Sequence, residues 1–428
     1  MGLTDERTQP LPRLSQPLEP QAVPAVSRLR LRTLRTALYR TGKATFRLLL
    51  NWGVLLAAVA VVLVVRNHVQ AQARAPLSPP VVQLSAADTA QWQGFPFYQR
   101  DVPVLLYHGV GSGSGGLSSS GSGGLSISRQ LFAEQMLALR TAGFHAITLA
   151  QYVNFINGDR QGLPAKPILL TFDDGRLATY RAVNEILRKY GFHATMFTSA
   201  SWPTTTPGYS LTWNDLRAMQ QSGTWSVAEA GGESHGYLVY DAAGDRGAVY
   251  AFREYISRSA GNIGHLEGFP AFLRRVTSNI LWGRQQFSAQ LPDFRPLAFA
   301  VPGGNYGQLA TNDARIPQFM LPWLAEHFQV VFGGDYLDRG PGRPFEIKSR
   351  SSLAKSFSYR ISLTSRVSLT ALNCRLTDWV TRVPVAKEYG CLRSGPGGAG
   401  LAAGPNGSPN KVMVAGGRQE RQHRQPPH

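Results

Sequence analysis

Residues 168–175 read ILLTFDDG, an apolar, β-favouring run that ends in two adjacent carboxylates, Asp173 and Asp174, and a glycine. Neighbouring anions repel, so the pattern calls for a compensating cation, and a divalent metal is the most economical one. Successive residues of a strand point to opposite sides. At a strand end one carboxylate can therefore ligate a metal while the other turns toward the metal's water and takes its proton. Gly175 permits the sharp bend this needs. GESHGYLVYD, residues 232–241, supplies His235 as a further ligand, and His108 closes the short apolar run VPVLLYH. The two cysteines, Cys374 and Cys391, are not spaced as a zinc motif, so any metal is held by oxygen and imidazole. Outside the cytoplasm the two could pair, which the sequence leaves open.

Each of these residues also has a plainer use. Asp and Gly are common turn formers. A histidine closing a strand often only hydrogen-bonds on the rim, and Tyr240 and Asp241 read more simply as ordinary loop residues. His145 and His193 stand near strand starts, on the rim opposite the carboxylates, and read as structural. Trp213, Trp225 and Tyr306 suit either a sugar groove or the core.

The elements that must position these groups follow from the rest of the chain. At 428 residues with 43% hydrophobic content there is ample material for a core, and the net charge is +18. The charge is densest in 27–47, which contains no acidic residue and runs directly into the apolar segment 48–65. That order reads as a disordered basic cytoplasmic segment (1–47) and a transmembrane signal anchor (48–65), with everything beyond it extracytoplasmic. Ala71-Gln72-Ala73 offers a cleavage site, so a cleaved signal is the alternative. Either reading accounts for the basic excess without a nucleic-acid partner. A stalk is expected over 66–100, a catalytic domain over 101–391 and a disordered tail over 392–428. Within the domain, 109–127 reads as a flexible Gly/Ser loop and 241–268 as an insertion.

From about 128 onward, helical and strand patterns alternate. The helical face of RQLFAEQMLALRTAG leads to HAITL, PILLTF leads to ATYRAVNEILRKYG, and ATMFTSA follows. Such alternation implies an α/β fold of mostly parallel strands with right-handed crossovers. In these folds the loops after the strands' C-terminal ends carry the site, and His108, Asp173 and Asp174 sit at such ends.

TFDDG, with LLYHGV upstream and GFHATMF downstream, resembles the polysaccharide deacetylases (NodB homology, carbohydrate esterase family 4) over about residues 102–365. The likeness is greatest to the branch of extracytoplasmic poly-N-acetylglucosamine deacetylases. It implies a NodB-like irregular (β/α) barrel in which Asp173 is the catalytic base and Asp174 a metal ligand. His235 matches the first of the family's two ligand histidines. Where the second would stand the chain has Val239 and Tyr240, followed by Asp241, so Tyr240 and Asp241 are the candidate replacements. The family's third motif appears as Ala300-Val301-Pro302-Gly303-Gly304, without the arginine that orients the base in many relatives. By resemblance the Gly303 N–H serves the oxyanion. The late histidine that acts as general acid in many relatives has no counterpart, and His108 is the candidate for that role or for the missing ligand.

The implied function is a membrane-anchored N-deacetylase acting on amino sugars of cell-wall or exopolysaccharide. Its cofactor would be a divalent metal: zinc, or alternatively cobalt or nickel. The competing reading is a catalytically degenerate glycan-binding or scaffolding domain, because two protein ligands hold a divalent ion poorly. An aspartyl phosphotransferase and a two-carboxylate glycosidase fit the D-D-G pattern less well.

Overall fold

The structure, a computed structural model, describes residues 51–69, 72, 75–98, 101–111, 125–233, 236–256, 264–335, 357–364 and 367–381. Two units are distinguished, Met1–Ala73 and Arg74–His428. In the first, a helix of 19 residues, Asn51–Val69, has a mean hydropathy of 1.9. It is long and apolar enough to cross a membrane, a criterion that a signal sequence near an N-terminus also meets. The segments 1–47 and 392–428 lie outside the described residues.

Among the described residues the second unit has fourteen strands in chain order. They are β1 (Val104–Tyr107), β2 (Gly109–Gly111), β3 (Ser126–Ser128), β4 (His145–Ala146), β5 (Pro167–Phe172), β6 (Ala194–Thr198), β7 (Trp225–Glu229), β8 (Tyr237–Val239), β9 (Arg246–Ala248), β10 (Tyr255–Ile256), β11 (His265–Leu266), β12 (Ala298–Ala300), β13 (Val330–Asp335) and β14 (Phe357–Ser362). The order β1-β14-β13-β12-β7-β6-β5, closed by pairing of β5 with β1, is a seven-stranded barrel in which every pairing is parallel. The expected (β/α) barrel is therefore what the chain forms. VLLY and PILLTF are buried at every position, as strands covered on both faces must be.

Alternation along the strands sorts two cores. Leu105, Tyr107, Leu170 and Phe172 face outward into the layer between strands and helices. Val104, Leu169, Phe197, Ala228, Ala298, Ala300, Val330 and Phe332 share the interior cluster. Leu149, Tyr152 and Val153, from the helix Leu149–Ile156, join that cluster, and Tyr152 Oη lies 2.7 Å from Ser358 Oγ on β14. The hydrophobic residues that β7 and β12 add to the interior cluster are alanines, which leaves room for Phe197, Phe332 and one long side chain from β14.

Three expectations about segments change. The stretch read as a stalk lies against the barrel from Ala75 onward. The Arg181 Nε donates to the Ala75 carbonyl (2.8 Å), and the Leu77 N–H donates to the Arg181 carbonyl (2.8 Å). Trp92, Phe95 and Tyr98 are buried in the outer core, and this aromatic burial is what a stalk reading overlooks. The Gly/Ser segment is not a loop throughout: Gly109–Gly111 pairs in parallel with Ser126–Ser128, while 112–124 lie outside the described residues. The insertion 241–268 holds the antiparallel pair β10–β11 and the strand β9, which pairs antiparallel with β8 just before the insertion. Cys374, buried on the helix Leu369–Thr381, is disulfide-bonded. Cys391 lies outside the described residues.

Trp225 and Tyr306 are buried core residues, and Trp213 is partly buried against the core. Trp213 packs edge-on against Phe287, Trp225 against Phe172, and Tyr306 against Phe357. At the end of β7, Glu229 is fully buried and faces the helix Phe269–Gln290. A Cβ on Gly283 of that helix would come within 2.9 Å of its Oε1. Neither carboxyl oxygen has a hydrogen-bond partner, and burial pushes the pKa up to about 8, with Arg284 opposing. Between the ordinary carboxyl value and about 8 the unfolded chain binds fewer protons than the folded one, so this group lowers stability as pH rises through that window. We predict that Glu229→Gln raises the melting temperature, and by more at pH 9 than at pH 5. An equal gain at both pH values would contradict a neutral buried carboxyl.

Candidate active site

Asp173 directly follows β5 and extends its ladder by one bond, its N–H donating to the Tyr107 carbonyl at 2.9 Å. By alternation from Leu169 its side chain enters the top of the barrel. There both carboxylate oxygens accept from one guanidinium: Arg360 Nη1 to Oδ1 at 2.7 Å and Nη2 to Oδ2 at 2.8 Å. Arg360 projects inward from β14, its Nε donating to the Gly333 carbonyl (2.9 Å). Its guanidinium lies 5.7 Å from the Phe197 ring centroid and 5.9 Å from that of Phe332. The Arg360 side chain is 1% exposed and that of Asp173 11%. A fork-to-fork pair of this kind is the strongest geometry available to a carboxylate, and neither charge could stay buried without the other.

Asp174 turns the other way. Its φ of +74 and the +54 of Gly175 place two consecutive residues in the left-handed region, folding the chain back on itself. This brings Arg176 Nη2 to 2.5 Å from Asp174 Oδ2. Gly175 has no substitute, since a Cβ there would reach Thr198 Oγ1 well inside van der Waals contact, at 2.2 Å. The repulsion between the two carboxylates is thus offset by two arginines, one for each, where the sequence pattern alone suggested a metal.

His108 follows β1, in register beside Asp173. Its half-buried imidazole has its pKa lowered, chiefly by burial. Asp173 and Asp174 pull it up, and Arg360 and Arg176 push it further down. The imidazole is accordingly neutral at pH 7. Gly303 lies in the short turn Pro302–Gly304 after β12, with φ of +66.

The structure brings His108, Asp173 and Asp174 to one rim, with Arg360 and Arg176. It uses Tyr240 and Asp241 elsewhere. Tyr240 stacks on Phe252 with centroids 4.5 Å apart, and burial raises its pKa, so the phenol stays protonated. Asp241 Oδ1 accepts from the N–H groups of Ala243 (3.1 Å) and Asp245 (2.9 Å), closing the β8–β9 turn. Both side chains thus build the hairpin itself. His235 lies outside the described residues. His145 and His193 flank strand starts as expected, with His145 Nδ1 3.0 Å from the Ala165 carbonyl.

Among the described residues no three His, Cys, Asp or Glu side chains gather as a metal-holding group. Those donors alone therefore do not fit a divalent ion. Arg360 was not anticipated, because the base-orienting arginine was sought beside Ala300, two strands away in the barrel. The available signal was a lone arginine within the short strand-like run SYRIS, flanked on its own face by the two small serines Ser358 and Ser362.

Residues 160–316 match the polysaccharide deacetylase family. The match runs from before β5 to the start of the helix Arg315–His327. It is similar to the poly-β-1,6-N-acetyl-D-glucosamine N-deacetylase of Escherichia coli K12, at 28% identity over 149 residues, or 32% of this chain and 22% of that protein. It is also similar to YxkH of Bacillus subtilis, at 28% identity over 116 residues, or 27% of this chain and 38% of that protein. The match thus spans well under half the length of these curated relatives. Among solved structures, the de-N-acetylase of Aggregatibacter actinomycetemcomitans aligns at 19% identity with a TM-score of 0.48, covering 63% of this chain and 98% of that one. IcaB of Ammonifex degensii aligns at 22% identity with a TM-score of 0.45, covering 65% and 96%.

Two outcomes test the rim. Gly175→Ala should cost at least about 1–3 kcal/mol in urea unfolding, because both its φ and its contact with Thr198 oppose a side chain. A cost below half of that would mean the turn relaxes freely. The His108 ring should titrate below 6.5 by NMR. A midpoint above that value would mean the two carboxylates outweigh burial.

Proposed function

We propose that the chain removes N-acetyl groups from amino sugars of a cell-wall or exopolysaccharide, outside the cytoplasmic membrane. The observation that carries this reading is the buried Asp173–Arg360 pair on the rim of a polysaccharide deacetylase barrel. The guanidinium occupies one edge of the carboxylate and fixes its plane. The remaining lone pairs of the carboxylate are then aimed at whatever enters from the rim. Asp173 takes a proton from the attacking water as the water oxygen bonds to the acetamide carbon. The Gly303 N–H and the nearby positive charge favour the oxyanion that develops. As the carbon–nitrogen bond breaks, the neutral His108 relays the proton to the leaving amine, and acetate departs.

Polysaccharide deacetylases are in general metal-dependent. For a divalent ion, zinc, cobalt or nickel, the chain offers Asp174 with His235, and the ion would supply Lewis-acid polarisation of the acetamide carbonyl. The Asn51–Val69 helix, preceded by the basic run, serves in this reading as the anchor that keeps the domain on the outer side. The shortage of described donors favours a second reading, a glycan-binding module without turnover.

Acetate release separates the two. The full chain, supplied with zinc, cobalt or nickel, should release acetate from at least one of poly-β-1,6-N-acetylglucosamine, chitooligosaccharides and peptidoglycan. Asp173→Asn should lower kcat about 10²–10⁴-fold, the usual worth of a general base. Binding to a polymer with no acetate from any of them would establish the module reading instead.

A further inference from the structure

Among the described residues of the second unit three aromatic side chains are exposed: Phe97, Tyr209 and Tyr237. Phe97 belongs to the end of the barrel opposite the site, since the neighbouring Tyr98 Oη donates to the carbonyl of Pro167 at the start of β5 (2.6 Å). The other two stand at the rim. Tyr209 follows β6. Its carbonyl accepts from the Leu177 N–H (2.9 Å), and its ring centroid lies 5.8 Å from the Arg176 guanidinium that pairs with Asp174. Tyr237 opens β8, shortly after β7, and sits directly opposite Ala248 in the β8–β9 ladder. Directly opposed residues of an antiparallel pair project to the same face. That face meets the turn after β12, because a Cβ on Gly303 would lie 3.8 Å from the Ala248 Cβ.

In the barrel β6 and β7 stand between β5 and β12. The rim therefore runs from Asp173 and Asp174, past Tyr209 and Tyr237, to Gly303. Both rings fall on the arc between the proposed base and the proposed oxyanion donor. Tyr209 is 43% exposed and Tyr237 62%, and neither phenol has a hydrogen-bond partner among the described residues. Water-facing rings with free hydroxyls add little to the core. A flat ring with a polar tip does match a pyranose, whose C–H face stacks on the ring while its hydroxyls reach the phenol. The geometry points to Tyr209 and Tyr237 as a stacking platform for the sugars adjoining the one whose acetamide reaches Asp173. The ligand is then a chain of N-acetylated amino sugars, held by several residues at once, and not a single sugar. This rests on the reading of the rim as a site for such sugars. The Arg176 guanidinium, packed near the Tyr209 ring, helps to hold that ring in place.

Isothermal titration of the full chain with N-acetylglucosamine and with its linear pentamers, β-1,4- and β-1,6-linked, tests the platform, with acetate release assayed alongside. One of the pentamers should bind roughly tenfold tighter than the single sugar or more, the worth of two aromatic contacts. Tyr209→Ala and Tyr237→Ala should each weaken pentamer binding roughly three- to tenfold and raise its KM in step, while affinity for the single sugar does not follow. Tyr209→Phe and Tyr237→Phe, which keep the ring, should retain most of the pentamer affinity and guard against a merely misfolded alanine variant. If wild type and both alanine variants bind the pentamer equally, the platform inference fails, and acetate release by the same proteins would leave the deacetylase reading standing. If the pentamer depends on the two rings but no acetate appears, the platform stands and the deacetylase reading fails. If neither pentamer binds tighter than the single sugar, the platform is overturned.

Discussion

The Asp173–Arg360 pair is the constraint on which the top of the barrel depends. Moving a carboxylate into a largely apolar interior costs several kcal/mol, and only a well-formed, fully hydrogen-bonded partner offsets it. Arg360 meets that requirement with two bonds to the carboxylate and a third to the Gly333 carbonyl, leaving β5, β13 and β14 tied together at their C-terminal ends. The alanines of β7 and β12 belong to the same arrangement, because a barrel that admits an arginine between Phe197 and Phe332 needs small residues on the facing strands. The carboxylate best held by the fold is therefore the one pointing into the mouth of the barrel.

From this follows the division of labour between the adjacent aspartates. Strand alternation sends Asp173 inward, and the left-handed turn at Asp174 and Gly175 sends the second carboxylate onto the rim, toward Arg176. His108, one strand over, lies between the fields of both pairs. Burial keeps it neutral, so in its resting state it is ready to receive a proton. Among the described residues the rim sets two guanidiniums against two carboxylates, with an uncharged imidazole beside them. An entering ion or oxyanion has to rearrange that balance, and this ties the chemistry of the site to its charge pairs.

Much of this could be read from the chain. PILLTF and VLLY are short, wholly apolar runs between helical patterns, and such runs become buried parallel strands, so the fold and the rim positions of His108, Asp173 and Asp174 were legible. Arg360 was not, because it lies 187 residues from Asp173 and only barrel closure through β14 brings the two together. Tyr240 and Asp241 follow their plainer reading as loop residues for a local reason. DAAGD, residues 241–245, is turn chemistry, with an aspartate that accepts from backbone N–H groups two and four residues on. The stalk reading failed because the Pro-rich composition around 76–80 concealed the aromatic contacts of Trp92, Phe95 and Tyr98 just beyond it.

The central claim is that Asp173 and Arg360 act as one unit, and a double-mutant cycle measures that directly. Urea unfolding of the full chain would be compared for wild type, Asp173→Ala, Arg360→Ala and the double variant. A buried pair of this geometry predicts that each single change costs about 3–5 kcal/mol, and that the double variant costs at least about 2 kcal/mol less than their sum. Additivity to within about 0.5 kcal/mol would contradict the account. The two residues would then be neighbours without being partners, and the fixed orientation of the proposed base would lose its physical cause.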